Sequence, residues 1–267
     1  PALISTVRTN APILRLTKTF EGYSMSQAPD PITATLREEP GGRLLDLATG
    51  RAIFLEYLLT NLDGVELAIG VDAERKATLA AKAAADDLDA PATIAQMDTK
   101  ALGFHSASFD TVGIANSLHH LADLEGAFAE IRRVLRPGGR CIISEMFRDD
   151  QTPAQETHVR LHHWAAAIDR ARGISHRETY TRDGLLDLIA QLDLRELDVF
   201  TYAVLDEDPH DPETVDHLSG AIDRLAERAK GLPDEEALRR RAAELKTRLA
   251  ETGYHPATQL IVIGRKA

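Results

Sequence analysis

Four polar residues close successive apolar stretches of this chain. Asp46 follows Leu44-Leu45, Asp72 follows Ile69-Gly70-Val71, Asp98 follows Ala95-Gln96-Met97, and Asn116 follows Gly113-Ile114-Ala115. Three carboxylates and an amide placed this way can hold a polar ligand of several parts. Asp72 can accept hydrogen bonds from two vicinal hydroxyls, as on a ribose, and Asp98 from an exocyclic amine such as N6 of adenine. Asp46 would repel a phosphate but orient an ammonium group. Small residues follow it, Ala48-Thr49-Gly50-Arg51-Ala52, and these let a ligand approach the backbone closely. The chain has neither a P-loop nor a G-x-G-x-x-G fingerprint, so a phosphate-led ligand is disfavoured. A nucleoside with an amine-bearing tail, such as S-adenosylmethionine, suits all four positions.

These residues need a scaffold that brings them together. Apolar runs at 43–47, 65–71, 92–97, 109–115, 140–146, 194–204 and 258–264 read as strands. Helical patterns at 51–62, 73–88 and 124–135 separate the first of them. Asp123 is an N-cap candidate, and Leu124, Phe128, Ile131 and Leu135 line one face of the helix after it. The alternation predicts βαβ units and a parallel sheet, with right-handed crossovers setting the polar strand ends on one edge. Further helices are expected at 153–172, where Trp164 reads as a core residue, and after Thr181. Two more lie between 211 and 252, split by Gly231-Leu232-Pro233. That pair reads as a helical hairpin: a lobe packed on the sheet edge, a homodimer contact or a movable lid. Residues 1–267 are expected to form one domain. Within it, 1–40 is an N-terminal arm, 150–176 a covering segment and 208–253 the hairpin. Thr19-Phe20-Glu21-Gly22-Tyr23 reads as a flap over the pocket or as a surface arm.

The net charge of −11 opposes binding to nucleic acid. The basic run Arg239-Arg240-Arg241 sits among Glu235, Glu236 and Glu244 and reads as a solvated helix face. The single cysteine, Cys141, excludes an internal disulfide framework and a multi-cysteine metal site. The absence of a signal peptide or membrane-spanning apolar run predicts a soluble, cytoplasmic protein without a membrane partner.

Several segments together resemble the class I S-adenosylmethionine-dependent methyltransferases, in particular the branch acting on small molecules. They are Leu44-Leu45-Asp46-Leu47-Ala48-Thr49-Gly50, Gly70-Val71-Asp72, Gln96-Met97-Asp98 and Phe109-Asp110-Thr111-Val112. Asn116-Ser117-Leu118-His119-His120-Leu121 and Ile131-Arg132-Arg133-Val134-Leu135-Arg136-Pro137-Gly138-Gly139 complete the set. The resemblance covers about residues 40–147, and 175–204 with 257–265 by topology. It implies a Rossmann-like sheet of seven strands, the last inserted antiparallel, with helices on both faces. It also implies that Asp46, Ala48, Thr49 and Gly50 hold the methionine part of the cofactor. Asp72 and Ala73 would take the ribose, Met97 and Asp98 would frame the adenine, and Asn116 with 117–120 would lie beneath the sulfonium. The chain departs from the family's Asp-x-Gly-x-Gly-x-Gly motif. Ala48 and Ala52 stand in place of glycines, and Arg51 lies between Gly50 and Ala52. An added methyl is tolerated at negative φ and strained at positive φ. A non-catalytic domain that binds S-adenosylmethionine or S-adenosylhomocysteine, or serves as an interaction module, is the alternative this departure leaves open. The Asn/Asp-Pro-Pro-Tyr/Phe arrangement of many nucleic-acid amino-methylating enzymes is absent, which points to a small-molecule acceptor.

The chain has ten histidines. His119 and His120 follow the fourth strand, next to the expected methyl position, so either could be a general base for a hydroxyl or thiol. Alternatively, the pair packs or caps at the start of a helix. His158 and His162 are i, i+4 and share a helix face. Asp169 is on the same stripe but roughly 10 Å beyond His162 by the helix rise. It cannot complete one metal site with both, and a third ligand would have to come from His163, His176 or His120. No metal is expected. His158, His162 and His163 are expected to line the acceptor pocket, since in the resembling family the segment after strand five covers that site.

Overall fold

In the computed structural model, which describes residues 30–86, 88 and 91–267, the apolar runs form strands and the periodic segments form helices. The order is α1 (Asp30–Arg37), β1 (Gly42–Leu47), α2 (Ile53–Asn61), β2 (Val65–Asp72), α3 (Arg75–Ala85), β3 (Ala92–Gln96) and β4 (Phe109–Ala115). Then come α4 (Leu124–Val134), β5 (Leu135–Met146), α5 (Pro153–Ala171), α6 (Arg182–Ala190), β6 (Leu194–Tyr202), α7 (Pro212–Arg228), α8 (Glu235–Thr252) and β7 (Gln259–Lys266). The expected flap at 19–23, like most of the expected arm, lies outside the described residues.

The seven strands form one sheet in the order β3-β2-β1-β4-β5-β7-β6. β1 to β5 pair in parallel, and β7 runs antiparallel between β5 and β6. This is the expected Rossmann-like sheet. The chain winds outward from β1 to β3 and then returns to β4 on the other side of β1. Ligand crevices open at such a switch point, outside the carboxyl ends of the strands.

Both faces of the sheet are covered, so its strands are apolar on both sides. Along β1, Leu45 and Leu47 join a core with Phe128, Ile131, Leu185 and Ile189, whereas Leu44 joins one with Leu36, Leu55 and Leu58. Asp123 caps α4 by accepting from Gly126 N at 2.9 Å, and Thr181 caps α6 by accepting from Gly184 N at 3.1 Å. The expected start of the fifth strand is corrected. β5 begins at Leu135, which pairs with Phe109 before the register shifts ahead of Thr111.

α5, α7 and α8 build a core of their own from Leu161, Trp164, Ile168, Leu218, Ile222, Leu238, Leu245 and Leu249. Trp164 is fully buried there, and its indole N–H donates to Leu238 O at 3.0 Å. The hairpin therefore packs on α5 rather than on the sheet edge, and its apolar stripes are largely covered within the chain. Among the described residues, no helix is long and apolar enough to cross a membrane.

Candidate active site

β1 ends at Leu47 and the chain turns back toward β2 through three left-handed residues: Ala48 (φ 51°), Gly50 (φ 57°) and Ala52 (φ 65°). The turn is pinned to its neighbour. Thr49 N donates to Val71 O at 2.9 Å, and Gly50 N donates to Asp72 Oδ2 at 3.0 Å. Gly70 makes room for it, because a Cβ there would stand 2.8 Å from Thr49 Oγ1. The two alanines thus hold the backbone shape that glycine adopts more easily, at about 1–2 kcal/mol each. Ala48→Gly should raise stability by about 1 kcal/mol, a shift of a few degrees in thermal melting. Ala52 differs because it is 1% exposed and its methyl belongs to the core. Losing that methyl costs about 0.8 kcal/mol, so Ala52→Gly should change the melting temperature little. A lower melting temperature for Ala48→Gly would contradict the strain assignment.

Asp46 is 1% exposed. Its Oδ2 accepts from Thr49 Oγ1 at 2.5 Å, and its Oδ1 has no partner among the described residues. Burial first, and repulsion from Asp72, push its pKa up to about 7 against the lowering effect of the Thr49 hydrogen bond. An orphaned carboxylate oxygen in this position is suited to an ammonium group. Asp72 is also largely buried, with Oδ1 accepting from Glu74 N at 2.8 Å. Asp98 is exposed and accepts from Lys100 N at 3.1 Å. Asn116 takes φ 45°, which asparagine tolerates, and its Oδ1 accepts from Met146 N at 3.2 Å.

A cavity of about 680 Å³ joins these groups, bordered by Asp46, Ala48, Thr49, Gly50, Asp72, Ala73, Asp98, Asn116 and His120. Most of the expected cofactor positions therefore face one space. Met97 does not border it; the side chain packs against the core beneath, which corrects its expected place beside adenine. Glu74, Ser175, Ile174, Tyr202 and Gln259 also border the cavity, and none of them was expected.

The histidines divide. His119 is fully buried behind the cavity wall, with Nδ1 2.9 Å from Glu145 Oε1. The other oxygen of Glu145 accepts from Ser117 N at 3.0 Å and Leu118 N at 2.8 Å, fixing the loop after β4. Glu145 escaped sequence reading, although a carboxylate closing the apolar run Cys141-Ile142-Ile143 was a usable signal. His120 faces the cavity. Protein enclosing the rest of its ring, then His119 and His176, lower its pKa to about 3. It is neutral at pH 7 and a weak proton acceptor. His162 lies beside both, with ring centroids 4.6 Å from His119 and 6.0 Å from His120.

His158, His162 and His163, all expected at the acceptor pocket, do not border the cavity. His158 Nδ1 accepts from Ala257 N at 2.9 Å, tying α5 to the chain just before β7. His163 points to the far side, 2.8 Å from Thr179 Oγ1. Asp169 serves a different histidine, with Oδ2 2.8 Å from His176 Nδ1 and Oδ1 accepting from Arg228 Nη2 at 2.5 Å.

Fold and site together define an α/β domain whose cavity, at the switch point of the sheet, joins the Asp46–Gly50 turn, Asp72, Asp98 and Asn116. Residues 45–143 match the family model described as a methyltransferase domain. Demethylmenaquinone methyltransferase of Thermus thermophilus is 34% identical over 108 residues, 40% of this chain and 49% of that protein. The 27-O-demethylrifamycin SV methyltransferase of Amycolatopsis mediterranei is 29% identical over 116 residues, 43% of each. The YcgJ protein of Bacillus subtilis superimposes with a TM-score of 0.54 at 19% identity, covering 88% of this chain and 96% of that one. Residues 45–143 are thus similar in sequence to methyltransferase domains, and the sheet has the fold of the superimposed structure. The matched stretch spans about half the length of the curated relatives.

Proposed function

We propose that the chain transfers a methyl group from S-adenosylmethionine to a small-molecule acceptor. The observation that carries this reading is a single cavity whose lining includes the Asp46–Gly50 turn, Asp72 and Asp98, and also Asn116, His120, Leu121 and Ile174. The first group suits the cofactor, and the second has the mixed polar and apolar character of an acceptor site. The volume of about 680 Å³ falls in the range of small-molecule sites. When bound, S-adenosylmethionine supplies a methyl group already activated on a sulfonium.

The chain's residues then have mainly to align the two reactants. Asp46 would pair with the ammonium of the cofactor and Asp72 with the ribose hydroxyls. Asn116 and His120 would border the reacting centre. The lowered pKa makes His120 a weaker base than a free imidazole. A hydrogen-bonding and orienting role therefore suits it better than general-base catalysis. The Thermus and Amycolatopsis relatives are named for a demethylmenaquinone and a demethylrifamycin, and the net charge of −11 disfavours a nucleic-acid acceptor.

The test is to incubate the protein and methyl-labelled S-adenosylmethionine with a fractionated cell extract. Label should appear in the small-molecule fraction, with S-adenosylhomocysteine released in equal amount. Label confined to protein or nucleic acid would overturn the acceptor class. Bound cofactor with no transfer to any fraction would favour a non-catalytic binding domain.

A further inference from the structure

One potential ligand atom from each of His119, His120, His162 and His176 lies within 4.8 Å of the other three. The four come from distant parts of the sequence: two from the loop after β4, one from the middle of α5 and one from the loop after it. Two carboxylates, the buried Glu145 and the partly buried Asp169, set the ring orientations. Glu145 holds His119 Nδ1 at 2.9 Å, and Asp169 holds His176 Nδ1 at 2.8 Å. A neutral imidazole that donates its Nδ1–H to a carboxylate keeps a bare lone pair on Nε2. His119 Nε2 is buried and has no hydrogen-bond partner among the described residues. His176 Nε2 lies 3.0 Å from His162 Nε2.

Carboxylates that orient imidazoles so that their free nitrogens meet at one point are the usual second shell of a zinc site. Ligand nitrogens about 2.0–2.1 Å from a tetrahedral zinc ion stand about 3.3 Å apart. The spacings here run from 3.0 Å between His162 and His176 to no more than 4.8 Å. Small side-chain rotations close that gap. Hydrogen bonding alone leaves His119 Nε2 unsatisfied, whereas a cation bound by neutral nitrogens would satisfy all four rings.

We propose that His119, His120, His162 and His176 bind one divalent transition-metal ion of the zinc type. Neutral imidazoles are the ligands such an ion prefers. The ion's position is defined by rings from the loop after β4, from α5 and from the loop after α5, so it clamps the covering segment to the carboxyl edge of the sheet. Arg228 of α7 supports the same site by holding Asp169, which links the hairpin to it. His120 also borders the cavity, so the site opens onto the proposed acceptor pocket through that ring.

The test is titration of the chelator-treated protein with Co²⁺. A tetrahedral nitrogen site gives ligand-field absorption in the visible. One equivalent should saturate the signal, and Zn²⁺ should displace it. His120→Ala, at the cavity surface, should weaken Co²⁺ binding at least tenfold, and the double variant H162A/H176A should abolish the signal. His163→Ala, a neighbour outside the cluster, should leave it unchanged. Thermal melting of each metal-free variant, run in parallel, reports whether it is folded, independently of the metal and of the cofactor site. Overturning results would be no Co²⁺ signal from wild-type protein that melts cooperatively, or a signal undiminished in H162A/H176A.

Discussion

Asp46→Asn should weaken S-adenosylmethionine binding by about 100-fold or more, while raising the melting temperature of the cofactor-free protein at pH 8. Breaking a buried ion pair costs about 3–5 kcal/mol, and Asp46 is the carboxylate proposed to meet the cofactor's ammonium. Without that ammonium the charge is a burden, since the residue is 1% exposed and its Oδ1 has no partner among the described residues. Burial, with Asp72 adding to it and Thr49 opposing, raises its pKa from 3.8 to about 7. The folded protein therefore binds this proton more tightly than the unfolded chain. The stability Asp46 contributes is fully present below pH 3.8 and is lost as the pH rises through 7. The loss is on the order of 4 kcal/mol, and asparagine removes it. Cofactor binding has the opposite dependence, because it requires the ionised form. The dissociation constant of the wild type should rise about tenfold per pH unit below 7, and that of Asp46→Asn should not. Calorimetry and thermal melting across pH 5–8 check both halves. Equal affinity of the two proteins, or a lower melting temperature for the variant, would reject the assignment.

Asp72→Ala should cost at least about 100-fold in S-adenosylhomocysteine affinity, since two hydrogen bonds to a charged acceptor contribute about 1.5–3 kcal/mol each. A simple loss is not decisive, because Asp72 also holds Gly50 N and Glu74 N, so alanine loosens the turn as well. The ribose contact is isolated by a ligand lacking both ribose hydroxyls. The dideoxy analogue should bind the wild type about 100-fold more weakly than S-adenosylhomocysteine, with little further loss in Asp72→Ala. If the variant weakened both ligands equally, the loss would come from the turn and not from the ribose.

The part of the cavity proposed to hold the cofactor was legible because it depends on local pattern. Asp46, Asp72, Asp98 and Asn116 each end an apolar run, and parallel strands bring such ends to one edge. The sheet order β3-β2-β1-β4 places their four strands side by side. What escaped were contacts between distant segments. Glu145 reads as the end of a strand until His119 and the Ser117 and Leu118 N–H groups are packed against it. Asp169 sits on the stripe of His158 and His162, yet its partner is His176, supplied by the loop after α5.

Helix periodicity gave a face for the histidines of α5 but not what each ring meets. His158 and His163, expected at the pocket, bond instead to Ala257 N and Thr179. The left-handed backbone at Ala48 and Ala52 was likewise hidden, because alanine carries no signal for positive φ. The hairpin stripes were visible. Their surface, α5 instead of the sheet edge, depended on the buried Trp164 and its hydrogen bond to Leu238.

The most direct test is calorimetric titration of the wild-type protein with S-adenosylmethionine and S-adenosylhomocysteine at pH 8. One saturable site with a dissociation constant at or below about 100 µM is the predicted result, with Asp46→Asn failing to saturate in the same range. No heat and no thermal shift at about 1 mM of either ligand, from protein that melts cooperatively, would contradict the assignment of this cavity to the cofactor.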